Sequence, residues 1–191
     1  MLPYFPDFIQ QFDIWLLNAI SNAFSCEFLD ALMPIITSLG NGGVFWIITA
    51  VAMMCFKKTR VAGISVAVAL LIGLALGNGI LKNLFGRVRP FELESALISS
   101  PLIDMPSDHS FPSGHTLASF EAATVLMIKD KRFGIPALVL SVLIAFSRLY
   151  LYVHFPTDVL GGILFGALFA IIAVKAVDKA ISLINNGGAL K

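Results

Sequence analysis

Residues 61–81 read VAGISVAVALLIGLALGNGIL, and no charged side chain interrupts them before Lys82. A backbone carried into hydrocarbon by such a run must satisfy its own N–H and C=O groups, which leaves it the helix. A span needs about 20 apolar residues, fewer where flanking groups snorkel. By that criterion the chain predicts spans at 41–56, 61–82, 114–128, 134–151 and 157–177. Hydrophobic residues make up 58% of the 191 and charged residues only 13%, whereas a soluble domain carries about a quarter charged. The expected fold is therefore all-α, a polytopic transmembrane helical bundle of five spans, with six the alternative.

Residues 6–24 mix Asp7, Gln10, Gln11 and Asp13 with Phe8, Ile9, Phe12, Trp15 and Leu16, the pattern of a helix lying in the membrane interface. The next apolar piece, FLDALMPIITSL, ends at Gly40-Asn41-Gly42-Gly43, where a break is expected before the chain turns into the bilayer. The alternative joins this piece to the first span as one longer, kinked helix. The opening MLPYFPDFIQ lacks the basic n-region of a cleaved signal peptide. No repeat, low-complexity tract or long linker divides the chain, so one domain over 1–191 is expected, with an N-terminal region 1–40 and a transmembrane core 41–178. Cys26 and Cys55 stand alone, without metal-ligand or disulfide spacing. A net charge of +1 gives no case for binding nucleic acid.

The basic residues sort by loop. Lys57, Lys58, Arg60, Lys129, Lys131, Arg132, Lys175, Lys179 and Lys191 fall on one side, which the positive-inside rule makes cytoplasmic. Lys82, Arg87, Arg89 and Arg148 fall on the other, with His109, His115 and His154. Three segments meet at that outer end: KNLFGRVRP (82–90), PSGH (112–115) and SRLYLYVHFPTD (147–158). Lys82, Arg89 and Arg148 supply cations that need an anionic partner. Pro112 suits the first turn of a helix and leaves the N–H groups of Ser113 and Gly114 at a positive helix terminus. Gly114 permits close approach, and Ser113 adds a hydroxyl. Together these form a cage for a tetrahedral, multiply charged oxyanion, and phosphate is its natural occupant. Two histidines beside a caged phosphate point to acid–base or nucleophilic work. Asp158 can bend back to hold one ring nitrogen of His154 protonated, so that the other faces phosphorus as a nucleophile. His115 then protonates the departing oxygen.

With these residues in place, the sequence resembles the type 2 phosphatidic acid phosphatase family of membrane lipid phosphatases. That family's signature is K-x6-R-P, then P-S-G-H, then S-R-x5-H-x3-D. Lys82 with Arg89-Pro90, Pro112-Ser113-Gly114-His115, and Ser147-Arg148 with His154 and Asp158 meet it at every position, over residues 82–158. The resemblance implies a phosphohistidine intermediate on His154, no metal or other cofactor, and a lipid phosphate reached from the bilayer. With the charge asymmetry, it implies a multi-pass protein of the cell membrane whose active site faces the extracytoplasmic side. Compact members of the family act on undecaprenyl diphosphate, which is the expected substrate; phosphatidylglycerophosphate and phosphatidate are the alternatives. A transporter that holds phosphate without hydrolysis is the rival of another class. The His154–Asp158 pair speaks against it, since transport needs cations and not an oriented nucleophile.

The remaining polar residues have quieter expected roles. His109 is expected to be a solvated loop residue, with a secondary grip on the lipid headgroup as the alternative, and Arg87, outside the signature, meets lipid phosphate or solvent. Glu121 lies six residues past His115, about 600° of helix, so it faces away from that imidazole and makes an inter-helix hydrogen bond. Asn78 steadies Lys82 from four residues back. The pairs Gly73/Gly77 and Gly162/Gly166 allow close packing within the bundle.

Overall fold

The computed structural model describes residues 5–93 and 101–188, which leaves Lys191 of the basic tail outside the described residues. Among these residues there are helices, turns and connecting segments, and no strand. Three stretches are long and apolar enough to cross a membrane: Arg60–Leu93, Lys131–Tyr150 and Pro156–Asn186. Helix α1 (Asp7–Phe24) precedes α2 (Glu27–Ser38) and α3 (Val44–Met54). The pair Glu27–Ser38 and Asn41–Met54 bends by 41° and makes a fourth candidate span when it counts as one. The break falls at the expected glycines, with Gly42 at φ 58° and Gly43 at φ 67°, a conformation glycine adopts without steric cost. The bend leaves open both the expected first span at 41–56 and the kinked-helix alternative.

Helix α4 (Arg60–Ile72) runs without interruption into a π-helical stretch, Gly73–Leu81, and then α5 (Lys82–Phe85). The wider turn removes the four-residue stacking of an α-helix. Asn78 therefore does not steady Lys82. It lies against Gly114 instead, where an added Cβ would stand 3.0 Å from the Asn78 Oδ1. After the short α6 (Pro90–Leu93) and a long connection, α7 (Gly114–Lys129) forms the axis of the bundle. It packs on α8 (Lys131–Tyr150) and α9 (Pro156–Gly188), with α4 alongside and α3 paired to α4. Small residues make this closeness possible. A Cβ on Gly166 would stand 2.7 Å from the Leu117 carbonyl and one on Gly162 2.9 Å from that of Ser113, while Gly73 and Gly77 meet Glu121 and Leu117. Both glycine pairs serve contacts inside the bundle. Ile48, Val139, Leu160 and Leu164 are exposed on its outer faces, where lipid rather than water suits them.

Helix α1 lies against α8 and α9. Phe8, Phe12 and Trp15 are exposed and Leu17 is buried, the two-faced character expected of an interfacial helix. Asp13 is fully buried as well, and its partners lie in the candidate site.

Candidate active site

The chain reaches the site through a strained turn. After α8, Tyr152 takes a left-handed φ of 58°, which costs a non-glycine residue about 1–3 kcal/mol. Its hydroxyl donates to Asn18 Oδ1 at 2.7 Å. The turn carries Val153, His154 and Phe155 back into the bundle, where all three are buried. Helix α9 then begins at Pro156, and Asp158 reaches back so that its Oδ2 accepts from the Phe155 N–H at 2.8 Å, the reciprocal half of a capping box.

That geometry sets the His154–Asp158 pair. His154 Nδ1 lies 3.5 Å from Asp158 Oδ2 and 3.4 Å from Ser110 Oγ, and Ser110 donates to the same carboxylate oxygen at 2.5 Å. The other ring nitrogen, Nε2, lies 3.2 Å from Arg89 Nη1. Burial, and then the positive charges of Arg89, Arg148 and Lys82, hold this imidazole well below its ordinary pKa. It is neutral at neutral pH, and the geometry suits a proton on Nδ1 toward Asp158 and a lone pair on Nε2 toward the cations.

Lys82 and Arg89 converge on a residue that sequence reasoning missed. Asp108 takes the Lys82 ammonium on one carboxylate oxygen and Arg89 Nη2 on the other, at 2.6 Å, while its backbone oxygen accepts from Arg89 Nε at 2.7 Å. Burial raises the Asp108 carboxyl, but the Lys82 contact and the Lys82 and Arg89 charges prevail and hold it well below the usual carboxylate range. Arg148 donates through Nη1 to Thr37 Oγ1 at 2.7 Å. Its buried Nε has no partner among the described residues.

His115, second residue of α7, has Nε2 2.8 Å from Asn41 Oδ1. Its ring presses on Gly40, where a Cβ would stand 2.6 Å from Cδ2. The break between α2 and α3 thus seats this imidazole, a role the glycine run gave no hint of. Ser113 departs from the expected cage: its N–H donates to the Asp158 carbonyl at 3.1 Å and its Oγ accepts from Thr116 at 3.0 Å. The start of α9 docks too closely on the start of α7 to leave that N–H for a ligand. Gly114, its neighbour, does line the cavity.

Arg87 also departs from expectation, being buried rather than at lipid or solvent. Nη1 donates to Asp158 Oδ1 at 2.6 Å and Thr157 Oγ1 at 2.7 Å, and Nη2 to Asp13 Oδ2 at 2.6 Å and Gln10 Oε1 at 3.0 Å. The Phe5 and Phe155 rings cover its two faces at 4.0 and 4.1 Å. A carboxylate brought in by α1 supplies the partner that the neighbouring sequence lacks. His109 is exposed, as expected.

A cavity of about 490 Å³ joins the cations and both imidazoles to an apolar trough. Lys82, Arg89, Asp108, His115, Arg148 and His154 line one part of it, and Ile47, Val51, Met54, Leu70, Leu71 and Leu74 line the rest, between α3 and α4. Glu121 lines the same cavity as His115, and the inter-helix hydrogen bond expected of it is not made by Oε1. Its Oε1 is buried with no hydrogen-bond partner among the described residues, because it packs on Gly73, which offers no side chain.

The PAP2 superfamily model matches residues 61–182. An undecaprenyl-diphosphatase of Sulfolobus acidocaldarius is 33% identical over 77% of the chain and 70% of its own length. Among solved structures, the PAP2 type phosphatidylglycerolphosphate phosphatase from Bacillus subtilis aligns with a TM-score of 0.72 at 30% identity, over 92% of this chain and 89% of that one. LpxE of Aquifex aeolicus aligns with a TM-score of 0.70 at 30% identity, over 85% and 94%. The family match covers most of α4 and runs through α7 and α8 into α9, so it takes in Lys82, Arg89, Asp108, His115, Arg148 and His154 at the cavity's polar end, and both solved neighbours share the bundle. This multi-pass membrane chain therefore belongs to the PAP2 superfamily.

Proposed function

We propose that the chain is an integral membrane lipid phosphatase that cleaves a phosphomonoester or diphosphate of a membrane lipid through a phosphohistidine on His154. The observation that carries this reading is a cavity in which buried cations and two imidazoles continue into an apolar trough. A lipid phosphate has the same division, a multiply charged head on an apolar tail. Lys82, Arg89, Arg148 and the N–H of Gly114 bind the phosphoryl oxygens, which replace the Asp108 carboxylate on the first two. Ser113 supports the start of α7 from behind. Nε2 of His154 forms a bond to phosphorus as the lipid P–O bond breaks, and its electrons leave with an oxygen that takes a proton from His115. Water, giving a proton back to His115, then attacks phosphorus; the N–P bond breaks and phosphate is released. Asp158 stabilises the charged imidazole through Nδ1.

The substrate best supported is undecaprenyl diphosphate, after the relative in Sulfolobus acidocaldarius. A second reading, phosphatidylglycerophosphate, is favoured by the structural match over 92% of the chain to the Bacillus subtilis enzyme. Five crossings fit this account: α2 with α3, α4 through α5, α7, α8 and α9, with α1 at the interface. Helix α7 has 16 residues, about 24 Å. The basic-residue asymmetry supports an extracytoplasmic catalytic end. Phosphate release by the purified chain from both lipids in excess chelator tests the reading. Faster release from the polyprenyl diphosphate is expected. The reverse order selects the second substrate, and no release from either contradicts phosphatase activity.

A further inference from the structure

Arg87 bridges two carboxylates. Asp158 belongs to the family-matched segment, but Asp13 comes from α1, and the match to the family begins only at residue 61. All three side chains are almost completely buried, at 3% for Arg87 and 0% for Asp13 and Asp158. Asp13 also accepts from the Thr157 N–H at 3.0 Å and from Thr157 Oγ1 at 2.5 Å. It thereby satisfies a free donor in the first turn of α9, the turn that carries Asp158.

We infer that Asp13 is a positioning residue for the His154–Asp158 pair: α1 delivers a carboxylate that caps α9 and offsets the charge of Arg87. The charge argument is direct. With one cation between two anions, the cluster keeps net negative charge toward His154. Without Asp13, the Arg87 charge is spent on Asp158 alone, and the carboxylate that stabilises the imidazolium is largely neutralised where screening by water is weak. Arg87 alone would therefore weaken the pair it holds in place. Lys82, Arg89 and Arg148 do not contact Asp13, so phosphate binding should not register its loss.

The inference rests on His154 and Asp158 being the reacting pair, and the experiment separates the two. Kinetics are measured on the full-length chain, with inorganic phosphate as a competing probe of the cation cage. Asp13→Asn keeps the shape and removes the charge. Its kcat is expected to fall about tenfold, with KM and the phosphate inhibition constant unchanged. Adding Arg87→Gln to Asp13→Asn should recover part of that kcat, because the cation that damps Asp158 leaves with its counter-charge. A merely structural role gives the opposite sign, a further loss on the second buried deletion. That further loss overturns the inference, as does an unchanged kcat in Asp13→Asn, or a rise in KM and phosphate inhibition constant matching the fall in kcat. Where Asp13→Asn does not accumulate, Asp13→Glu replaces it. Near-normal kcat is expected there because the charge remains, and a tenfold loss overturns the inference. A wild type that releases no phosphate defeats the catalytic reading itself; an active wild type indifferent to Asp13 defeats only this step.

Discussion

Two imidazoles face one cavity with different partners: His154 has Asp158 and Ser110 behind Nδ1, and His115 has Asn41 on Nε2. The proposed division of labour follows, and a change of leaving group tests it. His115→Ala should lose about 100-fold or more on a lipid monoester, whose alkoxide departs poorly without a proton. Nitrophenyl phosphate needs less acid assistance and should restore part of that activity, whereas His154→Ala should be inactive on both. Rescue of His154→Ala instead would mean that nucleophile and acid are exchanged. Asp108 makes a second prediction, because it holds the two cations that a phosphate needs. Its lowered pKa keeps it charged throughout the neutral range. The competition lifts only as pH falls through the folded value, below the ordinary 3.8. Asp108→Asn should therefore lower KM about two- to fivefold, read from initial rates; a raised KM would make Asp108 an organiser of the cations. The three short motifs were legible because each is set by local spacing. Asp108, Asn41 and Asp13 were not, since tertiary packing alone brings them in; Arg87 and Asp13 stand 74 positions apart.

Hydropathy located the apolar stretches because a bilayer imposes one length on any helix that crosses it. It could not show how those helices deviate. The π-helical stretch Gly73–Leu81 invalidates a four-residue argument at Asn78, and a 41° bend separates the piece at α2 from the one at α3. Packing between elements is where glycine matters most. Gly166→Ala would put a Cβ 2.7 Å from a backbone oxygen of α7, atoms that cannot rotate aside. It should cost about 1–3 kcal/mol, read as a lower unfolding temperature in detergent. Gly79→Ala is the control, since its Cβ would meet nothing nearer than 3.5 Å. Equal effects at the two sites would remove the α7–α9 contact as the cause.

Taken as one molecule, the bundle places a charged chamber and an apolar trough in the same cavity, and the proposed orientation rests on the basic residues of the loops. Both cysteines are exposed, so they report sidedness. On intact cells, a variant retaining only Cys26 should react with an impermeant thiol reagent. One retaining only Cys55, in the basic loop after α3, should react only after permeabilisation; the reverse pattern inverts the topology. The most direct test of the central claim is acid-quenched labelling of the purified chain with a polyprenyl diphosphate carrying a radioactive terminal phosphate. The account predicts a protein-bound phosphate that is stable to alkali, labile to acid and located on His154, and absent from His154→Ala. A wild-type chain that turns over this substrate without such a label, or an equal label on His154→Ala, would contradict it.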